Sequence, residues 1–160
     1  MKKILLIIGL FVIIISTSHN NQIKSKNVNN KNSLIFDENK ERERKFNILL
    51  QSLISLESNN GRFMHDSLNH DAIGIIQIRP CMVDEVNDIV GYKRFNYSDR
   101  WDTIKSIQMF RIYQNKYNPN YDFHKGCRIW NGGPTGHKRS STLIYLKNAL
   151  IKMENIINNF

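Results

Sequence analysis

The chain has 160 residues, and its 23 Lys and Arg against 14 Asp and Glu give a formal net charge of +9. This length predicts one domain, and the positive charge favours anionic polymers such as cell-wall glycans, lipid headgroups or nucleic acid as partners. The sequence has no cluster of Lys and Arg interleaved with aromatic residues, which argues against a nucleic-acid-binding groove.

The N-terminus predicts an exported protein. Lys2 and Lys3 precede an apolar run over residues 4–15, and the small residues Ser16-Thr17-Ser18 follow, a pattern typical of a secretory signal. The run is shorter than the roughly 20 apolar residues that span a bilayer. We therefore predict a signal peptide over residues 1–18 and a location in the periplasm or cell envelope. An uncleaved signal that tethers the protein to the membrane stays open.

The rest of the chain divides into a linker and a domain. Residues 19–34 are rich in Asn and Lys and almost free of apolar side chains, so we expect a disordered linker. Residues 35–160 have a globular composition and are long enough for one compact core. The predicted fold class is mostly α, of the α+β type, with at most a small β-hairpin near residues 64–79. We expect a monomer.

The first predicted helix covers about residues 37–58. One apolar stripe at i, i+3, i+4 and i+7 spacing consists of Phe46, Leu49, Leu50, Leu53, Ile54 and, at its end, Glu57. The helix stops at Asn59-Asn60-Gly61, because Asn and Gly tolerate the left-handed cap. Glu57 should therefore be half-buried near the negative end of the helix dipole. Both conditions disfavour the ionised carboxylate, as a general acid requires.

Four more helices follow in the prediction. The first covers residues 80–90, since Pro80 suits a first helical turn. The second runs from Asp99 or Asp102 to about Tyr117, and its apolar positions are Ile104, Ile107, Phe110 and Tyr117. The third covers about 122–131 and is closed by Gly132-Gly133-Pro134. The fourth covers about 140–158, with Leu143, Leu146, Leu150 and Met153 on one side.

Four short segments form an ordered set along these elements. They are Glu57-Ser58, Gly74-Ile75-Ile76-Gln77, the aromatic-Asn-Gly-Gly segment Trp130-Asn131-Gly132-Gly133, and a late Thr-x-x-Tyr made of Thr142 and Tyr145. Each segment alone is weak evidence, but the set over residues 40–150 resembles the lytic transglycosylase (SLT-type) domains of the lysozyme superfamily, in their compact exported form.

The resemblance implies a lysozyme-like fold and cleavage of the β-1,4 bond between N-acetylmuramic acid and N-acetylglucosamine in peptidoglycan. Glu57 falls on the catalytic acid of the family. It protonates the glycosidic oxygen and then acts as base toward the muramyl C6 hydroxyl, which gives 1,6-anhydro ends without a cofactor. The supporting and substrate-binding positions fall on Ser58, Gln77, Trp130, Asn131 and Tyr145.

Three of these positions carry specific expectations. Ser58 is expected to hydrogen-bond near the acid or the substrate, and Tyr145 is expected to touch the acid. Trp130 departs from the family, which commonly has Tyr there. An indole can stack on a sugar but cannot accept a hydrogen bond.

Other functions stay open at this point. A hydrolytic lysozyme would need a second carboxylate, for which Asp66 or Asp71 is available. A catalytically silent glycan-binding protein could use the same scaffold. A basic nucleic-acid binder is favoured by net charge alone.

Metal and thiol chemistry find less support in the sequence. The histidines lack the spacing of metal ligands, so no metal site is expected. Cys81 and Cys127 could form one disulfide in an oxidising compartment or stay as two buried thiols. The sequence does not decide between the two.

Overall fold

The computed structural model describes residues 34–65 and 71–158. The predicted signal peptide, residues 19–33 of the predicted linker, and Asp66 therefore lie outside the described part of the chain. The tertiary contacts divide the chain into two units, Met1–Glu41 and Arg42–Phe160. The core and the candidate site both belong to the second unit.

The described residues are mostly helical, which confirms the predicted mostly-α class. Their α-helices are α1 (residues 34–58), α2 (Pro80–Val90), α3 (Thr103–Tyr117), α4 (Phe123–Gly132) and α5 (Leu143–Ile157). Short 3-10 helices cover Tyr97–Trp101, Gly136–Lys138 and Ser140–Thr142. None of the helices in residues 34–65 and 71–158 combines the length and the apolar character that a bilayer crossing requires.

The predicted hairpin near residues 64–79 is reduced to two isolated bridges in the described residues. Ile73 pairs antiparallel with His65 and with Ile78. Gly74, Gln77 and their neighbours form a tight turn rather than a strand.

Side-chain caps explain why α3 and α4 begin where the sequence predicts. The Asp102 carboxylate accepts hydrogen bonds from the backbone N–H of Ile104 at 2.8 Å and of Lys105 at 3.0 Å. Asp122 accepts from the N–H of Lys125 at 2.7 Å. Each cap satisfies donors that a helix start leaves unpaired and contributes about 1 kcal/mol.

An aromatic cluster joins the first helix to the others. The Phe46 ring lies 5.0 Å from the Tyr121 ring and 5.8 Å from the Phe110 ring, and Phe110 lies 4.9 Å from Trp130, all between ring centroids. The apolar stripe predicted for α1 is buried, from Phe46 to Ile54. Other buried members of the core are Val83, Val86, Met109, Tyr113, Cys127, Ile129, Leu146 and Ala149.

The buried face of α3 agrees with the prediction at Phe110, Ile107 and Tyr117, which are buried or partly buried against the core, but not at Ile104. Ile104 exposes 69% of its surface, and the buried side chains of this helix are Ser106, Met109, Phe110, Tyr113 and Gln114. The helix turns the small Ser106 inward because its hydroxyl donates to the carbonyl of Arg100 at 2.8 Å. A larger apolar residue could not make this contact beneath the preceding turn.

Arg100 is a buried support for the loop over residues 71–78. Its Nη1 donates to the carbonyls of Asp71 at 2.7 Å and Ile78 at 3.1 Å, and its Nε donates to Tyr97 at 2.7 Å. These bonds tie both ends of the loop to one guanidinium. A β-carbon added to Gly74, which has φ +85°, would lie 1.9 Å from the Arg100 carbonyl oxygen, so the loop rests directly on this backbone.

Candidate active site

Glu57 and Tyr145 meet at the centre of the candidate site. Glu57 is half-buried in the last turn of α1, and Tyr145 lies in the first turn of α5. The Tyr145 hydroxyl donates to Glu57 Oε1 at 2.5 Å, so the predicted contact between the late tyrosine and the acid is confirmed. Burial, together with the neighbouring carboxylate, raises the pKa of Tyr145. The phenol therefore stays protonated and remains the donor in this bond.

A cavity of about 570 Å³ opens beside this pair. Its volume lies within the range typical of small-ligand sites. Five predicted site residues line it, namely Glu57, Gln77, Trp130, Asn131 and Tyr145. Its other lining residues are His65, Ala72, Ile78, Arg79, Cys81, Met82, Gly132, Gly133 and Arg139. The fold thus brings together side chains from all four segments that the sequence singled out.

Ser58 does not reach this cavity. Its side chain is fully buried, its hydroxyl donates to the Ile54 carbonyl at 3.1 Å, and its Oγ accepts from the Gly61 N–H at 2.8 Å. These bonds close the end of α1 and fix the chain that leaves it. Ser58 is therefore a structural residue that holds the helix end carrying Glu57, and its contacts do not support the substrate-binding role we predicted.

Gln77 forms part of the cavity wall in a constrained backbone conformation, with φ +49°. Its Nε2 donates to the carbonyls of Gly74 at 3.0 Å and Phe63 at 3.2 Å. Among the described residues, its Oε1 is buried and has no hydrogen-bond partner. A buried acceptor without a partner is costly, and a ligand hydroxyl could satisfy it.

Trp130 belongs to the core more than to the cavity. It exposes 8% of its surface and makes edge-type contacts with Phe110 and with Tyr113, at 4.9 Å and 5.9 Å between ring centroids. Little of the ring is open to a sugar, although Trp130 does line the cavity, and its stacking role stays a prediction. The polar side chain next to it, Asn131, is exposed at the cavity and available to a ligand.

Gly132 and Thr142 hold α4 against the segment that follows it. A β-carbon at Gly132 would lie 2.7 Å from Thr142 Cγ2. The Thr142 hydroxyl oxygen is fixed in place, because it accepts from Arg128 Nε at 2.9 Å and lies 2.9 Å from the Gly136 carbonyl. Gly132 therefore lies too close to Thr142 for an added side chain, and Thr142 serves the scaffold.

Of the two candidates for a second carboxylate, Asp66 and Asp71, the structure describes only Asp71. The Asp71 side chain is 70% exposed, and its Oδ1 lies 4.0 Å from Arg100 Nη2. It does not line the cavity, although its backbone carbonyl is bound by Arg100. Asp66 lies outside the described residues. Among the described lining residues, Glu57 is the one carboxylic acid.

Sequence reasoning missed three basic residues of the cavity. Arg79, Arg139 and His65 all line it, and the His65 ring lies 4.4 Å from the Trp101 ring in an edge contact. None of them belongs to a recognisable motif. Arg79 stands directly before Pro80, and Arg139 follows the Gly-Gly-Pro segment; proximity in sequence to those helix boundaries was the available signal.

Both cysteines are free thiols in the structure. Cys127 is buried, as the alternative of two buried thiols predicts, whereas Cys81 is exposed and lines the cavity. The structure has no disulfide between these two residues. Burial raises the pKa of the Cys127 thiol, which keeps it protonated and unreactive.

We expect iodoacetamide to modify Cys81 in the native protein and Cys127 only after unfolding. Intact-protein mass spectrometry should give one adduct before denaturation and two after it. A protein that gains adducts only after reduction would instead contain the disulfide.

Comparison with protein-family models, with curated proteins and with solved structures finds no match to this chain. Within residues 34–65 and 71–158, no three His, Cys, Asp or Glu side chains are grouped as they would be around a metal ion. The described lining of the cavity offers one carboxyl group with a phenol donor, two side-chain amides, and basic side chains.

Proposed function

We propose that this protein is an exported enzyme with a lysozyme-like fold that cleaves the β-1,4 bond between N-acetylmuramic acid and N-acetylglucosamine in peptidoglycan. One observation carries the proposal. A half-buried glutamic acid at a helix end lies in a cavity of about 570 Å³ and is held there by the Tyr145 hydroxyl at 2.5 Å. The ordered segments of the sequence supply the resemblance that names the substrate.

Glu57 acts as the general acid in this proposal. Its proton passes to the glycosidic oxygen as the bond to the muramyl C1 breaks and the sugar gains oxocarbenium character. The Tyr145 hydroxyl donates to Oε1 and so restrains the carboxyl group beside the cavity. Such positioning fixes the carboxyl group for proton transfer, which requires hydrogen-bond distance to the leaving oxygen.

A single acid among the described lining residues favours a non-hydrolytic second step. The ionised Glu57 takes the proton of the muramyl C6 hydroxyl while O6 forms a bond to C1. The product is a 1,6-anhydro ring, and no water is consumed. The exposed Asp71 side chain, which lies outside the cavity lining, supports this route over one that uses it as a second carboxylate.

The test is digestion of purified sacculi followed by mass spectrometry of the released muropeptides. We expect anhydro-muramyl ends, which are lighter by one water than reducing ends. Asp71→Asn should keep the rate within a fewfold of the wild-type rate, and so should Asp66→Asn.

Two results would contradict parts of this proposal. Reducing ends, together with loss of turnover in either Asp variant, would identify a hydrolytic two-carboxylate lysozyme. Binding to sacculi with no new chain ends of either kind would identify a catalytically silent glycan-binding protein.

A further inference from the structure

The cavity beside Glu57 has an excess of positive charge. Its described lining contains the guanidinium groups of Arg79 and Arg139 against the one carboxyl group of Glu57. The two arginines are exposed. A neutral sugar chain gives no reason for two guanidinium groups at its binding site, so the charge points to an anionic group on the ligand.

Local structure fixes the backbone of both arginines. Arg79 occupies the N-cap position of α2 in an extended conformation, with φ −87° and ψ 156°. The Arg139 carbonyl accepts hydrogen bonds from Arg128 Nη2 at 2.9 Å and from the Thr142 hydroxyl at 2.8 Å. Each guanidinium therefore extends from a backbone position that local structure fixes.

The donors of these two arginines are largely unused within the described part of the chain. Arg139 Nη2 donates to Thr135 Oγ1 at 3.3 Å, and neither arginine pairs with a described carboxylate. In contrast, Arg100 and Arg111 bind acceptors of the protein itself. A guanidinium presents a planar fork of donors that matches the two oxygens of a carboxylate.

We propose that Arg79 and Arg139 bind carboxylate groups carried on the lactyl arm of the muramyl residues, and so make the cavity selective for anionic over neutral glycans. This inference rests on the proposed function, because it assigns the substrate specificity of the same site. The carboxylate can belong to the lactyl group of peptide-free strands or to the attached stem peptide. The two sources share one chemistry.

The experiment measures binding separately from turnover. Full-length Glu57→Gln protein is titrated calorimetrically with three probes: tetra-N-acetylglucosamine, which is neutral, peptide-free glycan strands, and peptide-bearing glycan strands. The same titrations are repeated after adding Arg79→Gln, Arg139→Gln or both. Arg94→Gln is the matched control, because Arg94 is exposed, stacks on Phe95 and does not line the cavity.

We expect the double arginine variant to lose at least about 10-fold in affinity for an anionic probe, as removal of charge-assisted hydrogen bonds predicts. Affinity for the neutral probe should change less than about 3-fold by the same reasoning, and the control should behave as the parent protein. The preference for anionic probes should weaken as salt is added. The anionic probe whose affinity falls more in the double arginine variant identifies the source of the carboxylate.

Equal losses for neutral and anionic probes, or unchanged affinity for both anionic probes, would overturn the inference. Thermal unfolding of each variant shows whether the fold is kept. Failure of the proposed function is a separate result, since the wild-type protein would then release no muropeptides from sacculi whatever the binding data show.

Discussion

Glu57→Gln is expected to lower the rate of peptidoglycan cleavage by about 100-fold or more, because positioned acid catalysis typically contributes 10²–10⁴-fold. The amide keeps the shape of the side chain and can still accept the hydrogen bond from the Tyr145 hydroxyl. It cannot supply a proton to the glycosidic oxygen. The measurement is release of soluble muropeptides from purified sacculi.

Glu154→Gln is the matched control, because Glu154 is an exposed acid in α5 outside the cavity lining. It should retain the wild-type rate, and both variants should unfold close to the wild-type temperature. A Glu57→Gln enzyme that keeps more than about a tenth of the wild-type rate would remove Glu57 from the role of general acid.

Gly74→Ala is expected to lower the free energy of unfolding by about 3 kcal/mol or more. Two costs add at this position. A side chain at φ +85° costs about 1–2 kcal/mol. The added methyl group would also lie 1.9 Å from the Arg100 carbonyl oxygen, and the backbone shift that relieves such overlap costs roughly 1–3 kcal/mol. Chemical denaturation of the purified variants measures the sum.

Gly91→Ala separates these two costs. Gly91 has φ +86°, and a β-carbon there has nothing within 4 Å. This variant should lose only the conformational part, about 1–2 kcal/mol. Equal losses at Gly74 and Gly91 would mean that contact with the Arg100 carbonyl contributes nothing. Gly74→Ala should also slow cleavage, because the Gly74 carbonyl accepts the hydrogen bond from Gln77 Nε2.

The helices could be predicted because their determinants are local. Pro80 begins α2, and Asp102 and Asp122 cap α3 and α4. Each of these helices begins within a few residues of its predicted start. The half-buried position of Glu57 could be predicted in the same way, because the spacing of apolar residues within α1 determines which face of the helix is buried. The raised pKa that the sequence predicts for Glu57 stays a prediction.

The remaining features depend on packing between distant segments. The low exposure of Trp130 could not be predicted, because it comes from contacts with Phe110 and Tyr113 of another helix. The buried face of α3 is turned toward Ser106 by the carbonyl of Arg100, which hydropathy spacing does not register. No residue near Ser58 in the sequence indicated that its hydroxyl would form its hydrogen bonds with the backbone at the end of α1.

The hydrogen bond between Glu57 and Tyr145 joins residues that are 88 positions apart in the chain. Such a long-range contact carries the loop-closure entropy of the chain between its two residues and can form only once both segments are present. During synthesis, the pair is therefore complete only after α5 has left the ribosome and docked. In the finished protein, opening of the first turn of α5 would separate the phenol from the carboxyl group, so hydrogen exchange at the start of α5 would report on the integrity of the site.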